Sequence, residues 1–332
     1  MSVLIHQENI INWVDNSTEE PFHALLCDPP YEIGLHGTKW DRSGVALNPV
    51  VWKKLSNFLL PGAFGMVFAA ARGWHRLACA IEDADLQIYP SIFSWCHAGF
   101  PKTKDFSATI SKQFGNTFGE IWKGYRYGLQ ALKPAVEPII VFQKPYEGSP
   151  IENISRTGAG SLNIDAARVQ TNTPHLVNRW DKGAHPFGGG AGNDYSGTYV
   201  TGRWPANVVF SEDTAASLDE RTNKPISSFF NVVSSQLDEA DPVFYTSKVR
   251  NFESTDITKY THPTPKPLEL TKWLASLLLP PAEYFPRRLL VPFSGIASEC
   301  IGAKQAGWDE IVGIEKTKGY CQMAKKRLAF YG

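Results

Sequence analysis

The sequence predicts an α/β protein, and three observations carry that reading. Apolar runs of strand length alternate with stretches of helical periodicity through the first 145 residues and again through the last 70. Near the C-terminus a strand pattern, LLVPF, runs into a glycine-containing turn, a helix of small residues and a second strand ending at Glu315. Near the N-terminus another apolar run, Ala24-Leu25-Leu26-Cys27, stops at Asp28, and open α/β sheets place their ligands at such carboxyl ends.

The elements follow in order. Residues 3–6 (VLIH) read as a short strand and 9–14 as a brief helical turn. A β run at 23–27 precedes a helical pattern over 48–60, with Val51, Leu55, Phe58 and Leu59 on one side. Residues 65–70 form a buried strand, 73–82 a helix, and 87–95 and 136–142 two further strands. From about 148 to 260 no period is sustained, and the Gly-, Tyr- and Ser-rich stretch 185–202 reads as functional loop. Order returns at Pro267, well placed to start a helix with Leu270, Leu274, Leu277 and Leu278 on one face. A strand at 288–291, a helix over 297–306 stopped by Gly307, a strand at 310–314 and a helix over about 317–329 complete the chain.

The 332 residues are 43% hydrophobic and 20% charged, enough apolar material for a large core. Formal net charge is zero, but residues 100–134 hold six Lys/Arg (102, 104, 112, 123, 126, 133) against Asp105 and Glu120. Nucleic acid is bound by local patches, so a neutral total does not exclude it. The five cysteines, 27, 79, 96, 300 and 321, form no CxxC pair, which points to reduced thiols and away from a disulfide framework or a zinc site; no metal is expected. The N-terminus lacks a basic stretch followed by a long apolar one, and no apolar run approaches about 18 residues. The expectation is a soluble, cytoplasmic protein.

Two segments carry chemistry. In FSGIAS, Gly295 stands 20 residues before Glu315, the spacing that sets an acid on a ribose beside a glycine turn. The turn is not GxGxxG: only Gly295 is present, with Ala297 where a second glycine would stand, which suits a nucleoside without a pyrophosphate. In DPPY, 28–31, the prolines have fixed φ and no N–H, so their carbonyls stay available beside the Asp28 carboxylate. Two such acceptors suit an –NH2 group, and Tyr31 offers a stacking face. The ligand is thus a planar ring with an exocyclic amine, adenine or cytosine. A third segment, HPTPKP at 262–267, leads into the leucine helix.

Together these segments resemble the DNA amino-methyltransferases that use S-adenosylmethionine, and DPPY before FSGIAS resembles the order of their permuted β class. HAGFPK (97–102), LKPAVEPIIVFQKP (132–145), GAGSLNIDAARV (158–169) and GRWPANVVF (202–210) look like phage and bacterial members, so the resemblance spans most of the chain. It implies a circularly permuted Rossmann-like methyltransferase sheet, mostly parallel with one antiparallel strand, and an inserted irregular target-recognition region. Residues 1–147 would hold the target-base half of the catalytic domain, 148–260 the recognition insertion and 261–332 the donor-binding half.

The resemblance also implies roles. Asp28 and the Pro29 carbonyl would accept protons from the target amine, Pro30 would complete the pincer, and Tyr31 would stack on the base. Phe293, Ser294, Gly295, Ala297 and Ser298 would line the donor's site, with Glu315 on its ribose, Glu8 near its adenine and Asp28 against it. His262, Thr264 and Lys266 would border its methionine end. Two departures stand out: Val291 replaces an acid often found before Pro-Phe, and Ala297 the second glycine.

The target base would flip out of duplex DNA, the expected partner, and nothing calls for a covalent enzyme intermediate. Asp at the first pincer position leans toward adenine N6 over cytosine N4. Lys39, Trp40 and Arg42 would contact the flipped base's surroundings, Lys102, Lys104 and Lys112 the phosphates, and Arg179, Lys182 and Arg203 the grooves. The resemblance leaves room for a homodimer and a cognate restriction endonuclease. A rival of another class is a catalytically inactive, sequence-specific DNA-binding protein of the same fold, prompted by Val291 and Ala297.

Overall fold

A computed structural model describes residues 1–34, 40–88, 92–99, 101–171, 175–178, 197–234, 241 and 265–332. The described strands are β1 (Ser2–Gln7), β2 (Phe22–Cys27), β3 (Leu59–Phe68), β4 (Gln87–Ile88), β5 (Phe93–Cys96), β6 (Lys102–Asp105), β7 (Arg126–Gln130), β8 (Val136–Gln143), β9 (His175–Asn178), β10 (Gly197–Val200), β11 (Val208–Ser211), β12 (Asn231–Val233), β13 (Arg288–Pro292) and β14 (Glu310–Glu315). The described helices are α1 (Ile10–Asn16), α2 (Pro49–Asn57), α3 (Trp74–Glu82), α4 (Ser107–Phe114), α5 (Asn116–Ile121), α6 (Pro150–Thr157), α7 (Glu212–Thr222), α8 (Leu268–Leu278), α9 (Ser298–Ala306) and α10 (Lys318–Phe330).

The main sheet runs β1-β14-β13-β2-β3-β8-β5-β11-β12, with β4 also on β8. Its neighbours are parallel except at β8, which is antiparallel to β3, β4 and β5. The α/β expectation, mostly parallel with one antiparallel strand, therefore holds. Alternating side chains feed two cores. Ala24 and Leu26 of β2, Met66 and Phe68 of β3 and Ile139 and Val141 of β8 pack on one face with α8, α9 and α10. Leu25, Cys27, Val67, Ile140 and Phe142 pack on the other with α1, α2 and α3. Both faces are covered, as near-continuous apolar strands require.

Local chemistry sets the boundaries. Asn48 caps α2 by accepting from Val50 N, with Pro49 in the first turn. The helical pattern over 48–60 ends early, because Pro61 disfavours helix at Leu60 and Leu59 pairs with Phe22 at the start of β3. Ser149 and Glu152 form a capping box on α6, and Gly307 (φ +98°) ends α9. The four leucines of α8 are buried as their spacing predicts. The single strand expected over 87–95 is two described strands, both on β8. Part of the stretch 148–260 belongs to the sheet: β11 pairs with β5, and β12 with β11. Four- and three-residue strands, and a helix α7 with only Ala215 buried, leave little periodicity to read.

Arg327 of α10 fastens the C-terminal unit from inside. It is fully buried and donates from Nε and Nη2 to Asp241. Its Nη1 donates to the Ile296 carbonyl (2.9 Å) and the Ser298 hydroxyl (3.0 Å), pinning the turn before α9. Arg327→Ala leaves the Asp241 carboxylate buried without this partner, and losing one side of such a pair costs about 3–5 kcal/mol. Urea unfolding should show a loss of that size, whereas Cys79→Ser, at an exposed thiol, should leave the midpoint unchanged.

Candidate active site

The sheet topology creates the site. The chain leaves β2 toward β3 on one side and leaves β13 toward β14 on the other, and β2 and β13 are neighbours. A crevice opens at the carboxyl ends of two strands whose connections diverge. Asp28 follows β2, Phe293 follows β13, Glu315 ends β14 and Glu8 follows β1. The antiparallel β8 brings its own beginning to this same edge: Ile139 pairs with Phe68 at the end of β3, which places Glu137 beside the crevice.

Asp28, Lys266, Glu137 and Tyr31 form one network. Lys266 Nζ lies 2.7 Å from Asp28 Oδ2 and 3.4 Å from Glu137 Oε1. The same ammonium stands 5.1 Å from the Tyr31 ring centre and 5.0 Å from that of Phe68. The Tyr31 hydroxyl donates to Glu137 Oε1. Only 4% of the Lys266 side chain is exposed. Burial alone would strip its proton, but the Asp28 and Glu137 carboxylates outweigh burial and hold the ammonium above the usual lysine range. Burial, then the charges of Asp28 and Glu137, push the Tyr31 phenol well above its ordinary value, so its ring stays neutral. Asp28 Oδ1 is buried without a hydrogen-bond partner among the described residues.

The turn after β13 completes the crevice. Phe293 (φ +57°), Gly295 (φ +50°) and Ala297 (φ +68°) all adopt left-handed backbone. Gly295 N–H donates to Glu315 Oε2 (3.1 Å), and Thr317 N–H to Oε1 (2.6 Å). Burial raises the Glu315 pKa, while these bonds pull it back. A cavity of about 230 Å³ lies here, lined among others by Glu8, Ile10, Asp28, Pro30, Phe293 and Glu315. A recess of about 20 Å³ adjoins it and shares Asp28, Phe293 and Gly295; Lys266, Ser294, Ser298 and Glu299 also line it. The crevice is thus a largely apolar slot with Glu8, Asp28 and Glu315 in its wall, joined to a small recess with polar lining, which suits a ligand that has a flat part and a polar head.

The structure therefore brings Glu8, Asp28, Pro30, Lys266, Phe293, Ser294, Gly295, Ser298 and Glu315 to one crevice. Pro29 is buried beside it, and the half-buried Tyr31 is held against the first core. Ala297 is fully buried, packs into that core and lines neither cavity; Val291 lies in the same core. His262, Thr264, Lys39, Arg179 and Lys182 lie outside the described residues, as do the side chains of Trp40 and Lys102. Arg42 is exposed beside Gly34, and Lys104 and Lys112 are exposed on β6 and α4. Arg203 is half-buried, its guanidinium 4.2 Å from the centre of the Phe229 ring.

Two acids of the site have no role in the sequence reading. Glu137 sits inside the run VEPIIVF, where only strand periodicity is legible. Glu299, 3% exposed, follows FSGIAS in the first turn of α9, where an acid reads as an ordinary helix-start residue. Among the described residues, no group of three His, Cys, Asp or Glu is placed to hold a metal ion.

No protein-family profile matches the chain, and no curated protein sequence does. Solved structures do resemble it. The PvuII DNA methyltransferase (cytosine-N4-specific) aligns over 98% of this chain and 86% of its own, at 11% identity and a TM-score of 0.52. M1.HpyAVI aligns over 98% of both chains at 12% identity and a TM-score of 0.48. TTHA0409 from Thermus thermophilus, complexed with S-adenosyl-L-methionine, covers 99% of this chain and 94% of its own, at 14% identity and a TM-score of 0.45. At these identities the PvuII likeness is one of fold, the mixed α/β sheet described above.

Proposed function

We propose that this chain methylates an exocyclic amine of DNA, taking the methyl group from S-adenosylmethionine, with adenine N6 as the target. The observation that carries the reading is the position of Asp28. It lines both the apolar slot and the small polar recess, and keeps one buried oxygen without a partner among the described residues.

The residues present fit the donor. Glu315 uses each carboxylate oxygen once for a backbone N–H, which leaves lone pairs for a ribose diol. Glu8 and Ile10 line the slot where a flat base would lie, and the recess with its polar atoms would take the amino-acid end. Bound there, the donor supplies an electrophilic methyl group on a sulfonium sulfur.

The chain's own residues account for the rest. Paired with Lys266, Asp28 presents an acceptor oxygen to the target amine, and the Pro29 carbonyl is the second acceptor. Their hydrogen bonds draw the amine's protons aside and free its lone pair toward the methyl group. Catalysis is then positioning plus stabilisation of a nitrogen that becomes positive as its bond to the methyl forms and the sulfur–methyl bond breaks, after which its surplus proton passes to water. Glu137 fixes the Tyr31 hydroxyl, so the ring is set before the base arrives. A base enters the crevice only by leaving the duplex, at a cost of a few kcal/mol. DNA recognition falls to residues 148–260, between a target-base half at 1–147 and a donor half at 261–332, in the order of the permuted β class. A second reading, cytosine N4, is favoured by the fold shared with the cytosine-N4-specific enzyme and by the same pair of acceptors.

Incubation with plasmid DNA and S-adenosylmethionine, digestion to nucleosides and mass spectrometry should reveal N6-methyladenine. N4-methylcytosine would select the second reading, and no methylated base on any DNA tested would sink the enzyme reading. Asp28→Ala should lower the transfer rate at least about 10²–10³-fold, the scale for losing one positioned charge-stabilising contact. Donor affinity by calorimetry should stay within about tenfold; a normal rate in this variant would refute the pincer. Tyr31→Phe keeps the stacking face but loses the bond to Glu137, so it should cost less than Tyr31→Ala. Tyr31→Ala should weaken flipped-base binding by roughly 1–3 kcal/mol, measurable with DNA carrying 2-aminopurine at the target.

A further inference from the structure

The recess beside Asp28 holds a charge imbalance that its own residues do not resolve. Three carboxylates, Asp28, Glu137 and Glu299, surround the ammonium of Lys266, which pairs with the first two. Arg327, the other nearby cation among the described residues, is engaged with Asp241, Ile296 and Ser298. Three polar atoms here are buried without a hydrogen-bond partner among the described residues: Asp28 Oδ1, Ser294 Oγ and Glu299 Oε1. All three residues line the recess of about 20 Å³. That is room for one group of water size. The recess opens beside the larger slot, since both share Asp28, Phe293 and Gly295.

A buried set of acceptors with surplus negative charge calls for a compact donor-rich cation. A primary ammonium has three protons, fits the volume and brings the missing charge. We infer that Glu299, with Ser294, is the receptor for the ammonium at the amino-acid end of the methyl donor, while Asp28 adds its negative charge beside them and keeps Oδ1 for the target amine. The inference rests on the donor assignment above and adds a binding residue to it.

The ionisation of Glu299 agrees with this geometry. Burial, then the neighbouring Asp28 charge, push its carboxyl up to about 7, against the pull of Lys266 and Arg327. The groups facing it are Cys27 of β2 and Asp28 just after it, Lys266 ahead of α8, Cys300 on its own helix and Arg327 from α10. In the free protein, the raised pKa means that the folded chain binds a proton the unfolded chain has lost between about 4.5 and 7. Glu299 therefore opposes folding increasingly as pH rises through that window, and the cost persists above it. An arriving ammonium favours the carboxylate, so the proton leaves as the ligand binds and affinity rises with pH.

Calorimetry with S-adenosylhomocysteine and 5′-methylthioadenosine tests this without turnover. The first carries the amino-acid end and the second lacks it. In the parent, affinity for S-adenosylhomocysteine should rise about tenfold from pH 5.5 to 7.5, the effect of one opposite charge on a carboxyl, while methylthioadenosine affinity stays flat. Glu299→Gln keeps the side chain's shape and should bind S-adenosylhomocysteine about tenfold more weakly at pH 7.5, with no pH dependence and unchanged methylthioadenosine affinity. In urea it should also be at least as stable as the parent at pH 8. Equal loss of both ligands would make Glu299 a packing residue and overturn the inference. Unchanged affinity for both would leave the recess to water and overturn it too. If the parent binds neither nucleoside, the donor assignment itself fails.

Discussion

The buried ammonium of Lys266 is the constraint on which the site depends. A lone cation in so dry a place would lose its proton or the fold would reject it. Here it survives because the ends of β2 and β3 and the start of β8 converge on it, with Asp28 and Glu137 as counter-charges and the rings of Tyr31 and Phe68 beside it. The convergence works in both directions. The lysine orients the carboxylate that faces the ligand, and the carboxylates hold the segment before α8 against the sheet. Reversal of a single strand makes it possible: only because β8 runs antiparallel does Glu137, near its beginning, reach the edge where Asp28 ends its own strand.

Much of the fold was legible because strands covered on both faces read as apolar runs and α8 carries its leucines at helical spacing. The positions of Asp28, Gly295 and Glu315 were legible for a topological reason: strand ends in such sheets are where ligands sit. What escaped was whatever depends on partners distant in sequence. Glu137 is meaningful only through Tyr31, 106 residues away; Lys266 was set at the donor's methionine end, but its pairing with Asp28, 238 residues away, was not legible. Glu299 reads as a helix-start acid until α8 and α10 bury it. β11 and β12 escaped because each is too short to show a period and gains its strand character from the edge it joins.

The turn over 293–297 shows how a strained loop is held. It has three left-handed residues and only one glycine, and a side chain in that conformation costs about 1–2 kcal/mol. The surroundings over-determine it. Ser294 N–H donates to Ile314 O, Ala297 N–H to Ser294 O, and the Arg327 guanidinium takes up the Ile296 carbonyl. The alanine methyl faces the core formed with α8 and α9, so the residue that departs from the glycine-rich pattern contributes packing where a glycine would contribute none.

The edge strand β1 has β14 as its partner in the sheet, the first described strand paired along its whole length with the last. During synthesis, β1 emerges and must wait until residues 310–315 are made before its backbone groups find that partner. Glu8, at its end, meets Glu315 only then, through its N–H on the Glu315 carbonyl. The polypeptide therefore closes on itself late, and where the cleft is lined. A chain cut short before residue 310 lacks the strand on which β1 pairs. Assembly of the binding cleft waits, in this topology, on translation of β14.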